Sequence, residues 1–171
     1  MDFFSLVTER RSVREFREDP VPSEVVHDIL LAGSWAPTAG NRQPWHFYVV
    51  TDSAQRRALC QAAGGQMFVQ KAPVVIVVCA DPERSALRYA ERGRSLYCLQ
   101  DTAAAIQNML LAVEIKGLGA CWVGAFDEAR ATQVLSLPPE HRPVALIPIG
   151  HPRARPSTPP RRPVEDIVTF L

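Results

Sequence analysis

Arg10-Arg11-Ser12-Val13-Arg14 places three guanidinium groups and one hydroxyl within five residues of a chain whose formal net charge is only +1. Arginine's planar fork makes paired, charge-assisted hydrogen bonds to phosphate oxygens, and a serine hydroxyl adds one more donor. The stretch therefore suits a compact dianion, above all a phosphate monoester. The bland alternative is a solvated basic helix end, where arginine also complements the C-terminal dipole. A second cationic pair, Arg161-Arg162, lies late in the chain, and residues 37–43 form a segment rich in amide and hydroxyl groups. Two separated cationic sites and such a loop fit a ligand that is anionic at one end and hydrogen-bonding at the other. Phosphorylated planar cofactors have this shape, and a protein that borrows a cofactor's chemistry needs no catalytic triad of its own.

Other chemistries find little support in the spacing. Ser5, Ser12 and Ser34 sit in no GxSxG elbow, and the four histidines show no triad arrangement. His27 falls on an expected helix and His46 on an expected strand, where a lone histidine is usually a satisfied structural residue. No HExxH pair, EF-hand loop or Walker A loop occurs. Gly117-Leu118-Gly119 lacks the third glycine of a dinucleotide fingerprint. Cys60, Cys79, Cys98 and Cys121 form no CxxC pair, so neither a zinc site nor a redox dithiol is indicated, and Cys79 and Cys121 read as small core residues.

The elements that must position the charged groups follow from periodicity. Residues 2–10 suit a short helix with Asp2 as N-cap, and residues 23–35 a longer one capped by Ser23, with Val25, Val26, Ile29 and Leu30 on its apolar face. Residues 36–44, with two prolines and a glycine, read as a loop. Residues 45–51 read as a strand, 53–63 as a helix, and 73–80 as a strand buried on both faces. Residues 82–93 are charged and suit a short exposed helix or a mobile segment. Residues 97–116 are apolar around much of their circumference, which implies a helix buried in the core or in a subunit interface, ended by Gly117 and Gly119. A strand over 121–125, a helix over 127–135 and a strand over 142–149 follow. Residues 151–163 hold five prolines and exclude regular structure, and the apolar residues of 164–171 imply a tail that docks. This order suits a layered α/β or α+β protein.

Length and composition agree. A chain of 171 residues with 47% hydrophobic and 22% charged residues suits one globular domain spanning 1–171. Its charge balance argues against nucleic-acid binding by bulk charge. No apolar run approaches the roughly 20 residues needed to span a bilayer. No signal peptide is visible, so the expected compartment is the cytoplasm.

Taken together, five segments resemble the FMN-dependent nitroreductase family. They are Arg10-Arg11-Ser12-Val13-Arg14 with Phe16, and Ala36-Pro37-Thr38-Ala39-Gly40-Asn41-Arg42-Gln43-Pro44-Trp45. Next come Gln100-Asp101-Thr102-Ala103-Ala104-Ala105-Ile106-Gln107-Asn108 and Gly117-Leu118-Gly119-Ala120-Cys121-Trp122-Val123-Gly124-Ala125. Last is Ile147-Pro148-Ile149-Gly150-His151-Pro152 with Arg161-Arg162-Pro163. They occur in order from about residue 3 to residue 170.

The resemblance implies an α+β nitroreductase-like fold. A mostly antiparallel central sheet is wrapped by helices, with a long buried interface helix and a C-terminal arm on the partner subunit. It implies a homodimer with FMN at the interface and NADH or NADPH as electron donor. The acceptor would be a small nitroaromatic, quinone or similar conjugated compound, reached by ping-pong hydride transfer through flavin N5, with no catalytic side chain beyond the flavin. On this resemblance Arg10, Arg11, Ser12 and Arg14 hold the phosphate, ribityl chain and pyrimidine edge, and Arg161 is a second phosphate contact. Pro37, Thr38, Ala39, Asn41 and Gln43 reach the flavin from the other subunit. Val123, Gly124 and Ala125 line the flavin near N5 and O4, with Gln66 beside them.

Three positions depart from the family pattern. Thr38-Ala39 lacks one hydroxyl, Gly124 stands where some members carry Glu, and Pro159 stands where many carry Lys. The segment available for a substrate lid is short, 82–96. Two other readings share these residues: a specialised flavoenzyme on the same fold, either a reductive dehalogenase or a flavin-modifying enzyme, and a non-catalytic flavin-binding protein.

Overall fold

Strands β1 (Trp45–Val50), β2 (Val74–Ala80), β3 (Gly119–Ala120) and β4 (Arg142–Gly150) pair antiparallel throughout, in the order β1-β2-β4-β3. The computed structural model that contains them describes residues 2–171. Every residue of β2 is buried. Its side chains alternate between two cores, as the period of two requires. Val74, Ile76 and Val78 face one core, and Val75, Val77 and Cys79 face the other. Each fully buried Val or Ile contributes about 1.5–3 kcal/mol, so the run 74–79 is the centre of the stability. The Cys79 thiol is pushed up to about 12 by burial and is an inert packing group.

Seven helices among the described residues cover this sheet: α1 (Phe3–Glu9), α2 (Ser23–Ser34), α3 (Ser53–Ala62), α4 (Met67–Lys71), α5 (Pro82–Arg92), α6 (Cys98–Ile115) and α7 (Glu128–Leu135). The α2 and α6 residues Val26, Ile29, Ile106, Met109, Leu110 and Val113 join the first core. The α3 and α7 residues Leu59, Cys60 and Ala131 join the second. The chain therefore has the expected α+β layering, with α6 buried largely within its own subunit. Asp2, Asp52, Asp81 and Asp127 cap α1, α3, α5 and α7 by accepting from backbone N–H groups of the first turn.

Several expectations are corrected. Pro22, not Ser23, is the N-cap of α2; Ser23 is already helical and its hydroxyl turns to Glu24 at 3.4 Å. The strand expected over 121–125 ends at Ala120. Cys121 N–H donates to the Pro148 carbonyl at 3.4 Å, but proline has no N–H to return, so the ladder stops. Pairing resumes only at Val123, which exchanges both bonds with Leu146 at 2.9 and 3.0 Å. The five-residue α4 lies in a stretch that carried no helix signal. Residues 82–93 form a helix rather than a mobile segment. It kinks at Ala90 (φ 47) and is followed by a π-turn over Gly93–Tyr97. The tail forms a 3₁₀ turn at Val164–Asp166, and Ile167, Val168, Phe170 and Leu171 are exposed rather than docked on their own chain.

Candidate functional site

Directly after α1 the chain runs extended beside β3. Ser12 forms a parallel bridge with Ala120, and Val13 N–H donates to the Ala120 carbonyl at 2.9 Å. Val13 is buried, which turns its neighbours Ser12 and Arg14 the opposite way. The approach is close because residue 119 is glycine: a Cβ there would lie 2.7 Å from the Cβ of Val13. The extended run continues past Phe16, which bridges Pro152, while Arg17 N–H donates to the His151 carbonyl and Arg153 N–H to the Glu15 carbonyl, both at 2.9 Å.

This edge forms one wall of a cleft of about 290 Å3. Arg10, Arg11, Ser12 and Arg14 line it from one side, and Pro156, Ser157, Pro159 and Arg161 from the other. Four arginines and no carboxylate line the cleft, so its field favours an anion. The arginines are not equivalent. Arg11 directs one nitrogen to the Thr8 and Arg10 carbonyls at 2.6 and 2.9 Å and the other to the Thr158 hydroxyl. Arg14 makes one long bond to the Ser12 carbonyl at 3.4 Å and sits 5.8 Å from the ring centre of Phe68. Arg10, Arg14 and Arg161 thus keep most of their donors for a ligand. Burial pushes the Cys121 thiol up, while Arg14, the Ser12 hydroxyl and Arg10 draw it down, which places the cationic cluster within electrostatic reach of residue 121.

From Cys121 the chain leads to Val123, Gly124 and Ala125. Val123 is fixed by its two bonds to Leu146. Nothing lies closer to the Cβ position of Gly124 than the Trp122 indole nitrogen at 4.0 Å, so that side is open. Gln66, at the start of α4, donates from Nε2 to the Ala63 and Ala125 carbonyls at 3.0 and 3.1 Å. The structure therefore brings Gln66, Gly124 and Ala125 together on the continuation of the strand that carries the cleft.

Residues 37–43 form a separate, tightly wound unit. A 3₁₀ turn spans Ala39–Asn41, and Gly40, Asn41 and Gln43 all have positive φ (55, 54 and 49). Thr38 Oγ1 accepts from Gln43 N–H, and Asn41 Oδ1 accepts from Gln43 Nε2, both at 3.1 Å. A Cβ at Gly40 would lie 2.6 Å from the Tyr89 hydroxyl. Below the turn, Ala39 N–H donates to Oδ1 of Asp101 on α6 at 3.1 Å, while Asp101 Oδ2 is buried without a partner. Burial raises the Asp101 carboxyl, and the Ala39 N–H opposes that rise. Among the described residues no hydrogen bond links this unit, including Pro37, to the arginine cleft.

Sequence reasoning missed Asp101, and it missed Pro156, Ser157 and Thr158, which complete or brace the far wall. The available signal for Asp101 was a carboxylate inside an otherwise apolar helix. His46 is exposed on β1, where its ring stacks on His141 at 4.4 Å, and Tyr48 Oη lies 2.6 Å from His141 Nδ1. A larger trough of about 630 Å3 shares Arg14 with the cleft; Arg56, Lys71 and Arg153 also line it, facing Glu15 and Glu18, and Arg56 donates to the Gln70 and Ala72 carbonyls.

Comparison with known proteins bears on this arrangement. A family model described as "Nitroreductase family" matches residues 7–71 and 62–151. The chain is 33% identical over 197 residues to the NADH dehydrogenase of Thermus thermophilus, covering 99% of this chain and 96% of that protein. It is 28% identical over 174 residues to the FMN reductase (NADPH) of Bacillus subtilis, covering 94% and 70%. The structure matches the NADPH:FMN oxidoreductase of Vibrio harveyi, solved in complex with NAD+, with a TM-score of 0.89 at 30% identity, covering 98% of this chain and 76% of that one. No described helix is long and apolar enough to cross a membrane.

Proposed function

Because this chain belongs to the nitroreductase family, we propose that it is an FMN-dependent NAD(P)H oxidoreductase that works as a homodimer. The observation that carries the reading is the cleft lined by Arg10, Arg11, Arg14 and Arg161 without a carboxylate, continuous through Ala120 with the open backbone at Gly124. The fit to FMN is one of charge and of space. Arg10, Ser12, Arg14 and Arg161 would hold the phosphate and ribityl end. The absence of any Cβ at Gly124 leaves room for a planar ring beside the backbone of 123–125.

When bound, FMN would supply two-electron chemistry between NADH or NADPH, oxidised to NAD(P)+, and an acceptor that gains one hydride equivalent and one proton. The chain's own residues bind and orient. Arg14 would keep a fixed positive charge at the phosphate and ribityl end, and backbone N–H groups at 124–125 would donate toward N5 and O4. With Gly124 in place of a carboxylate, the acceptor face stays open, which suits nitroaromatics, quinones and similar conjugated compounds over a single dedicated substrate.

Two features support the dimer. The unit of Pro37, Thr38, Ala39, Asn41 and Gln43 is unconnected to the cleft of its own chain, and a second copy would bring the two together. Leu31, Trp35 and Ile115 border a groove of about 430 Å3, and the apolar tail residues are likewise exposed. Such patches mark association surfaces. The C-terminal arm would cross onto the partner.

The experiment is direct. The purified protein is expected to be yellow, to bleach anaerobically with NADH or NADPH, and to regain colour with a quinone or nitroaromatic. Bound flavin that neither nicotinamide bleaches would overturn the reading.

A further inference from the structure

The two walls of the arginine cleft are held by different means. The near wall is fixed by backbone pairing of residues 12–17 with Ala120 and residues 151–153. The far wall, Pro156 to Arg161, belongs to a segment without helix or strand, exposed along its whole length and rich in residues that lack an N–H. After Arg153 its next backbone bond is the turn donated by Asp166. Between them only side chains tie it down: Arg11 to the Thr158 hydroxyl, and Arg155 to Glu114 at 2.5 Å.

The second of these is unusual. Glu114 lies on the inner face of α6 with its side chain 3% exposed, and Arg155, 46% exposed, is its ion-pair partner. A buried carboxylate that loses its cation is left uncompensated, which is far more costly than the loss of an exposed pair. Any state in which residues 155–161 lift away strands that charge, so the open arm is penalised by the core itself.

We infer that Glu114 and Arg155 form a latch that sets the far wall of the cleft before ligand arrives. Both are positioning residues for cofactor retention, because neither lines the cleft. The inference rests on FMN being the ligand for its affinity consequence, but not for the state of the arm. Preorganising a wall lowers the ordering cost of binding.

The test uses the full-length protein and FMN as probe, with Glu114→Gln as the near-isosteric, uncharged variant and Arg155→Lys as the conservative one. Glu114→Gln is expected to bind FMN about tenfold more weakly, because an unlatched wall must be ordered on binding. Backbone 15N order parameters should fall at Ser157, Thr158, Arg161 and Arg162, which have no amide hydrogen bond to report exchange, while β2 stays protected from exchange. Arg155→Lys should remain within about threefold of wild type, since it keeps the charge. Unchanged arm order parameters in Glu114→Gln, with β2 protected, overturn the latch. If β2 protection is lost as well, the same pair of measurements on Arg155→Gln decides. A wild-type protein that binds no FMN would defeat the cofactor reading alone, because the order-parameter comparison still tests the latch.

Discussion

Gln66 Nε2 donates to the Ala125 carbonyl at 3.1 Å, so a residue from the turn before α4 fixes the backbone that follows Gly124. The same nitrogen also donates to the Ala63 carbonyl at 3.0 Å, and the amide therefore bridges two segments some sixty residues apart. Gln66→Ala is expected to lower stability by about 1 kcal/mol, the net value of a typical hydrogen bond. It should also shift the visible absorption of bound flavin, because the N–H groups of 124–125 lose their support. A spectrum and melting temperature identical to wild type would remove Gln66 from the site.

Arg14 makes a single long hydrogen bond inside the chain, to the Ser12 carbonyl at 3.4 Å. Arg14→Ala is expected to weaken FMN binding by about 1.5–3 kcal/mol, the scale of a hydrogen bond to a charged group. Arg11→Ala is expected to cost less directly, since Arg11 is already bonded to Thr8, Arg10 and Thr158. Titration calorimetry of the two variants distinguishes these roles, and equal losses would contradict the division.

Gly119→Ala places a methyl group 2.7 Å from the Cβ of Val13, a buried β-branched residue with nowhere to move. Overpacking of this kind costs about 1–3 kcal/mol. Here it also pushes Ser12 away from Ala120, so thermal stability and FMN retention should fall together. A stable variant with unaltered FMN affinity would show that the bridge is dispensable.

Asp101 gives a pH dependence with a definite sign. Its carboxyl is raised above the ordinary 3.8 chiefly by burial, with the Ala39 N–H acting against the rise. The folded protein therefore takes up this proton more readily than the unfolded chain. The associated stability is present below the ordinary aspartate value and is lost as pH rises through the raised one. Asp101→Asn cannot ionise. Its melting temperature relative to wild type should therefore improve progressively as pH goes from the acid side of 3.8 to neutrality. A difference independent of pH would show that Asp101 is not the group responsible.

What was readable in the chain depended on how local its cause is. The Asp2 cap, the β-branched run of β2 and the apolar face of α6 are properties of a few neighbouring residues, and they are realised where the pattern placed them. The cationic stretch at 10–14 was visible from charge density alone. The failed strand at 121–125 was not legible, because its cause is Pro148 on the partner strand, whose missing N–H matters only once the two lie side by side. The far wall of the cleft escaped for a similar reason. Prolines 156 and 159 announce irregular backbone without saying against what it rests. Its two clamps, Arg11 with Thr158 and Arg155 with Glu114, join residues distant in sequence. Asp101 looked like one polar position in an apolar helix, and only the orphaned Oδ2 beneath the 39–41 turn reveals its burden.

The parallel bridge between Ser12 and Ala120 has a consequence for synthesis. Its two residues stand more than a hundred positions apart, and the opposite wall comes later still. A chain emerging from the ribosome exposes its arginine cluster early and cannot build the cleft around it until Arg161 is free. Long-range closure of this kind is slow. Until then the nascent cluster is an open cationic segment. Flavin capture should therefore wait for residues 156–161, and a truncation anywhere before residue 161 should yield a colourless protein even where the sheet has formed.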